Sequence, residues 1–247
     1  MTATGFERPG ARSDQLRIGI TRHEALAAAL AVGLPARHGE AAAGVVRFAS
    51  RPIIVPEAQM TANIVAAQVD ILTVGYAASP SVAGTVGLVR DGDRVIVVDP
   101  GMVRNRSLIL DPLERLGISP DDVTHVFVSH HHLDHTVNIA LFRQAEIVDF
   151  RTTRRDDQVN PHQGEGYQLA PNTTIWVTPG HSPQDASLIV DTDEGRHAFT
   201  HLWWRSDRTP EIDPYAMDPE QLSANRRRVL EGVDFVIPGH GEPFRVA

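Results

Sequence analysis

Neither cysteine nor lysine occurs anywhere in the chain. Without cysteine there are no disulfides, no thiolate nucleophile and no sulfur ligands, so a metal site has to use imidazole and carboxylate. Without lysine there is no Schiff-base chemistry. All 23 basic residues are therefore arginine, whose planar fork would have to anchor any anionic substrate. Aromatic residues make up only 6% of the 247, which leaves aliphatic side chains to fill the core. The first twenty residues hold no apolar stretch of the signal-peptide kind, and no run approaches the ~18 apolar residues of a membrane helix. The expected location is cytoplasmic, with no membrane partner.

What is present leans acidic, with a formal net charge of -8. Such a balance repels phosphate backbones at long range, so nucleic acid is not an expected partner. A small-molecule substrate is, and a homodimer is allowed. Two arginine clusters, Arg151 with Arg154 and Arg155, and Arg226 to Arg228, read as solvated faces.

The chain divides by composition. Residues 1–59 are rich in alanine, glycine and arginine and read as an appendage, partly helical or partly disordered. A capping box of Thr21 and Glu24 opens one helix there, Gly33 and Pro35 close it, and residues 51–56 form a short strand or a linker. Residues 60–247 read as the catalytic domain. Strands are expected at Val69 to Val74, Thr85 to Val89 and Val95 to Val98, the last two flanking the hairpin signal Asp91-Gly92-Asp93. A helix is expected from Asn105 to Leu116 with Gly117 as its stop, although Pro112 removes one internal hydrogen bond. The buried run Val123 to Ser129 leads into a histidine cluster, followed by a helix over Thr136 to Phe142. Strands at Glu146 to Phe150, Thr174 to Thr178, Ala186 to Val190 and His197 to Leu202 come next. A helix from Pro219 to Gly232, capped by Asp218, and a strand at Val233 to Ile237 complete a layered α/β sandwich.

Three segments share one design, in which an apolar strand ends and a histidine follows: Val-Phe-Val-Ser-His130, Trp-Val-Thr-Pro-Gly-His181 and Phe-Val-Ile-Pro-Gly-His240. The first continues as His131, His132, Leu133, Asp134 and His135. Nitrogen and carboxylate donors at this density suit zinc. In an extended segment His130 and His132 share one side, and His131 points away.

His-x-His-x-Asp-His, then Thr-Pro-Gly-His, then Pro-Gly-His-Gly resembles the metallo-β-lactamase superfamily, over the chain from about residue 66 to the end. The closing Val-Ile-Pro-Gly-His-Gly-Glu-Pro-Phe-Arg-Val resembles its small single-domain branch of metallo-β-lactamase-domain-containing proteins. The resemblance implies a four-layer αββα sandwich with the metals at one edge of the paired sheets. It implies one site made by His130, His132 and His181, and a second made by Asp134, His135 and His240.

One position departs from that pattern. The aspartate that bridges both metals in the family is replaced here by His201, in Thr200-His201-Leu202. A carboxylate offers two oxygens, but a neutral imidazole offers one lone pair. His201 is expected to ligate one metal without bridging two, leaving one or two zinc ions per chain; the other reading packs it beneath Trp203, binding nothing.

The implied chemistry is metal-assisted hydrolysis by a metal-bound hydroxide, zinc lowering the pKa of its water from 15.7 to about 7. Asp134 is the expected catalytic residue, orienting the water and moving its proton. The substrate would be an ester, lactone or thioester. The alternatives are a phosphodiesterase or nuclease of the same fold, and a non-catalytic metal-binding protein. Trp203, Trp204 and Arg205 are expected to wall the substrate pocket, core packing being the other reading. His162 and Tyr167 read as parts of a solvated loop.

Overall fold

The structure is a computed structural model that describes residues 65–247. The expected appendage, with its helix and its 51–56 segment, lies outside the described residues.

The described chain begins with β1 (Gln68–Thr73), followed by a short hairpin of β2 (Tyr76–Ala78) and β3 (Ser81–Ala83). β4 (Val86–Asp91) and β5 (Arg94–Val98) are joined by a two-residue turn in which Gly92 has φ 60°, the left-handed conformation such turns require. Next comes α1 (Ser107–Arg115), which keeps Pro112 in its interior. Proline leaves the carbonyl four residues earlier without its helical donor. Here the Thr73 hydroxyl donates to Leu108 O at 2.5 Å and takes that place. The helix stops at Gly117, φ 73°, where Ile118 N–H reaches back to Leu113 O at 2.9 Å.

The rest of the first half comprises β6 (His125–Phe127), α2 (Leu133–Thr136), β7 (Glu146–Val148), β8 (Thr152–Arg155) and β9 (Gln158–Pro161). β10 (Tyr167–Ala170), β11 (Thr173–Val177), β12 (Ala186–Thr192) and β13 (Gly195–Thr200) lead to α3 (Pro219–Gly232), β14 (Phe235–Pro238) and β15 (Phe244–Arg245). α3 starts where the sequence places it, its Asp218 carboxylate accepting from Gln221 N–H at 2.9 Å. The helix expected over Thr136 to Phe142 is instead the short α2 and a single 3-10 turn at Ile139–Leu141. Asn138 explains the break: its N–H donates to Pro100 O and its side-chain amide to Gly101 O, which draws the chain out of helical register.

Two large sheets result, ordered β1-β4-β5-β6-β7-β8-β9 and β10-β11-β12-β13-β14-β15. Alternation along their central strands builds the layers. Val89, Ile96, Val98 and Phe127 of the first sheet pack against Ile175, Leu188, Val190 and Phe199 of the second. The intervening residues Leu88, Val97 and Val126 turn outward onto Ile109 and Leu113 of α1. On the other side, Ile189, Ala198 and Val236 turn outward onto Leu222 and Val229 of α3. This is an αββα sandwich, and its central strands are apolar on both faces because both are covered. Among the described residues no helix is long and apolar enough to cross a membrane.

Candidate metal centre

β5, β6 and β7 run parallel, as do β13 and β14, so their C-terminal ends open onto a common edge, where loops from several strands can meet. His130 lies three residues past β6, His201 directly follows β13, and His240 lies two past β14. His181 follows β11, which points the same way as β13 through two antiparallel pairings.

These side chains converge. His132 Nδ1 is 3.1 Å from His130 Nε2 and 3.2 Å from His181 Nε2. Asp134 Oδ2 is 3.5 Å from His240 Nε2 and 3.7 Å from His135 Nε2. Donor atoms of His130, His132 and His181 lie within 4.8 Å of one another, and so do those of Asp134, His135 and His240. A third such group is His130, His135 and His201. His201 therefore stands among the other histidines rather than merely packing beneath Trp203. His131 turns away, as alternation requires, to Asp149 at 3.1 Å.

The outward nitrogen of four of these rings is held by an acceptor. His135 Nδ1 donates to Asp99 at 3.0 Å, His181 Nδ1 to Asp213 at 2.7 Å and His240 Nδ1 to Ala83 O at 2.9 Å. The Ser129 hydroxyl donates to Asp99 at 2.6 Å and thus accepts from His130 Nδ1 at 3.1 Å. Such bonds fix the tautomer and aim the other nitrogen's lone pair inward. Neither Asp99 nor Asp213 carries a signal in the sequence that marks it as part of the site. Asp99 adopts φ 49°, a conformation costly for a residue with a side chain and sustained by its surroundings. Ser129 N–H at 2.7 Å, the Ser129 hydroxyl and His135 all bond its carboxylate.

Burial, then the neighbouring His135, keeps His130 well below its ordinary pKa of 6.5. Burial and His130 do the same to His201. His240 is pushed down to about 4, chiefly by burial and by His135. Neutral imidazoles keep the lone pair that a metal needs. Burial pushes Asp213 up, but the bonds from His181, Tyr215 N–H and the Trp204 indole hold it below the usual carboxylate range.

The cluster opens into a cavity of 410 Å³. The β2–β3 hairpin covers one side and the Trp204–Tyr215 pair the other, while His132, Asp134, His181, His201 and His240 form the floor. The Trp204 and Tyr215 rings are stacked 5.7 Å apart. Trp203 does not wall this pocket. It is 3% exposed and packs into the core beneath α3, because consecutive residues beyond a strand end face opposite ways. Arg205 also stays out, its guanidinium held by Thr209 and Asp207. His162 and Tyr167 stack on each other at 4.0 Å, and neither lines the cavity. The arginine clusters are less free than the sequence suggests: Arg154 bonds the buried Asp149 at 2.7 Å, and Arg226 donates to the carbonyls of Leu202, Pro210 and Glu211.

A family model described as the metallo-beta-lactamase superfamily matches residues 80–241. The chain belongs to that superfamily, one of metallo-hydrolases. It is 35% identical over 170 residues to metallo-beta-lactamase domain-containing protein 1 of Xenopus laevis, covering 66% of this chain and 72% of that one. The human form is matched over 59% of its length. N-acyl homoserine lactonase of Bacillus thuringiensis is 28% identical, over 51% of this chain and 57% of the lactonase. Among solved structures, a quorum-quenching N-acyl homoserine lactone lactonase superposes with a TM-score of 0.52 at 21% identity, covering 72% of this chain and 92% of its own. That likeness shows the superfamily fold.

Proposed function

We propose that the chain is a metal-dependent hydrolase of an uncharged carboxyl ester, lactone or thioester. The observation that carries this reading is a cluster of inward-facing imidazoles opening into a 410 Å³ cavity that no arginine lines among the described residues. The chain has no lysine, so an anionic substrate would find no cationic side chain there among the described residues.

The donor set fits a divalent metal. His135 Nε2 and His201 Nδ1 are buried with no hydrogen-bond partner among the described residues, an expensive arrangement unless a cation accepts their lone pairs. Nitrogen and carboxylate donors without sulfur suit zinc. His130, His132 and His181 would hold it, with His201, His135, His240 and Asp134 beside them. When bound, zinc supplies Lewis acidity that acidifies water and offsets charge on a carbonyl oxygen.

The chain's own residues do the rest. Among the described residues Asp134 is the one carboxylate that both lines the cavity and reaches the histidines, so it can orient a water and take its proton. Asp99 and Asp213 accept the outward protons of His135 and His181 and so aim their inward nitrogens. The stacked Trp204 and Tyr215 present a flat apolar wall to the acyl part of a substrate. The lactone reading is also supported by the 28% identity to a lactonase of Bacillus thuringiensis.

Zinc-loaded protein assayed on neutral lactones, 4-nitrophenyl esters and thioesters should hydrolyse at least one class, and Asp134→Asn should lose that activity. Cleavage of bis(4-nitrophenyl) phosphate with no turnover of any carboxyl substrate would instead identify a phosphodiesterase.

A further inference from the structure

His201 is held unlike its neighbours. Four rings of the cluster hand a proton outward to Ser129, Asp99, Asp213 or the Ala83 carbonyl. His132 reaches in from the cavity side. His201 is buried and, among the described residues, has no outward acceptor: its Nδ1 has no partner, and its Nε2 lies 3.1 Å from His240 Nε2.

Neither neutral tautomer of His201 is satisfied by protein atoms. With the proton on Nδ1, that N–H is an unpaired buried donor, and the lone pairs of His201 Nε2 and His240 Nε2 oppose each other. With the proton on Nε2, His240's lone pair is consumed and His201 Nδ1 is left bare. A cation on Nδ1 removes the conflict, since the proton then sits on Nε2 and donates to His240 Nε2.

The position of the ring matters as much as its bonding. Its centroid is 4.2 Å from that of His130, 4.3 Å from His181 and 4.8 Å from His135. It thus stands between the His130–His132–His181 group and the Asp134–His135–His240 group, where a carboxylate could serve both at once. Gly239 leaves the ring its space, because a Cβ there would overlap the edge of His201. Among the described residues Asp134 is the only anionic donor, so two dications would share a single carboxylate ligand.

We propose that His201 makes this cluster a one-metal centre, giving one nitrogen to a single divalent cation and leaving a second without a bridging ligand. The inference rests on the metal-dependent reading above for the presence of a metal, and goes beyond it in stoichiometry and in the role of His201.

The test uses the full chain, stripped with chelator and titrated with Co²⁺, with the visible absorption of the bound ion as readout. Zinc content after loading and desalting, by mass spectrometry, gives an independent count. The expected result is saturation at one equivalent, with a second retained only at roughly 100-fold higher free metal. His201→Asp is expected to retain two. Two equally tight equivalents in the unmodified protein would overturn the proposal, and so would a folded His201→Asp that still holds one. If that variant fails to fold, the titration of the unmodified protein decides alone. Zero metal after loading would instead overturn the metal-dependent reading and this proposal together.

Discussion

The two sheets furnish the site in different ways. The first contributes His130, His132, Asp134 and His135 from one stretch of six residues, and a single carboxylate, Asp99, backs both His130 and His135. The second contributes one histidine per strand end, and the three share no support: Asp213 stands behind His181, the Ala83 carbonyl behind His240, and nothing among the described residues behind His201. The first side behaves as one preorganised unit, and the second as three independent arms. Damage to the first should spread across the cluster, whereas damage to the second should stay local.

The largest effect is expected from His130→Ala, because His130 belongs to two of the three donor groups. Zinc content should fall to background and hydrolysis should disappear; a variant that keeps its zinc would break the idea of a shared unit. Asp99→Ala should come next. Loss of a carboxylate behind ligating histidines costs roughly 10–100-fold in metal affinity, and the upper end is expected here because two ligands lose support. The melting temperature should drop as well, since the Ser129 N–H and hydroxyl are left buried without an acceptor.

Asp213→Ala sharpens the contrast. Metal affinity should weaken by nearer about tenfold, while KM rises because the Trp204 indole also bonds this carboxylate, at 3.3 Å. Equal losses of metal in the Asp99 and Asp213 variants would erase the distinction between unit and arms.

The smallest effect lies away from the site, at His125 on β6. Burial and then Arg94 depress its pKa below 6.5, with Glu146 and Asp93 opposing and Arg155 adding to the depression. A depressed histidine binds protons more readily when unfolded, so its contribution to stability is present above pH 6.5 and is lost as the pH falls. His125→Gln should therefore flatten the stability decline of zinc-loaded protein between pH 7 and 5, measured by urea unfolding. An unchanged slope would exclude this contribution.

The contrast between the sheets also explains what the sequence could disclose. The His130–His135 stretch was legible because its chemistry is local: neighbours in sequence are neighbours in space. His181, His201 and His240 were legible because each follows an apolar strand. Asp99 and Asp213 were not, because they meet His135 and His181 across 36 and 32 residues, and only the assembled sheets bring them together. The pairing of β8 with β9 was hidden for a related reason. Most of its residues are polar and most are exposed, so they lack the apolar alternation that marks strands packed on a core. Trp203 and Trp204 shared one expectation because composition does not say which of two adjacent indoles faces inward.

The β2–β3 hairpin pairs with neither large sheet, yet its base is fastened to the histidine cluster. Ala83 O receives the His240 proton, and Gly84 N–H bonds Asp134 O. Its tip, at Ser79 and Pro80, meets the cavity instead. Tip and base are thus open to separate evolution: exchanges at the tip can retune which molecules fit, while the base holds the histidine cluster constant. The hairpin is the natural place to look for divergence among proteins that share this centre but not its substrate.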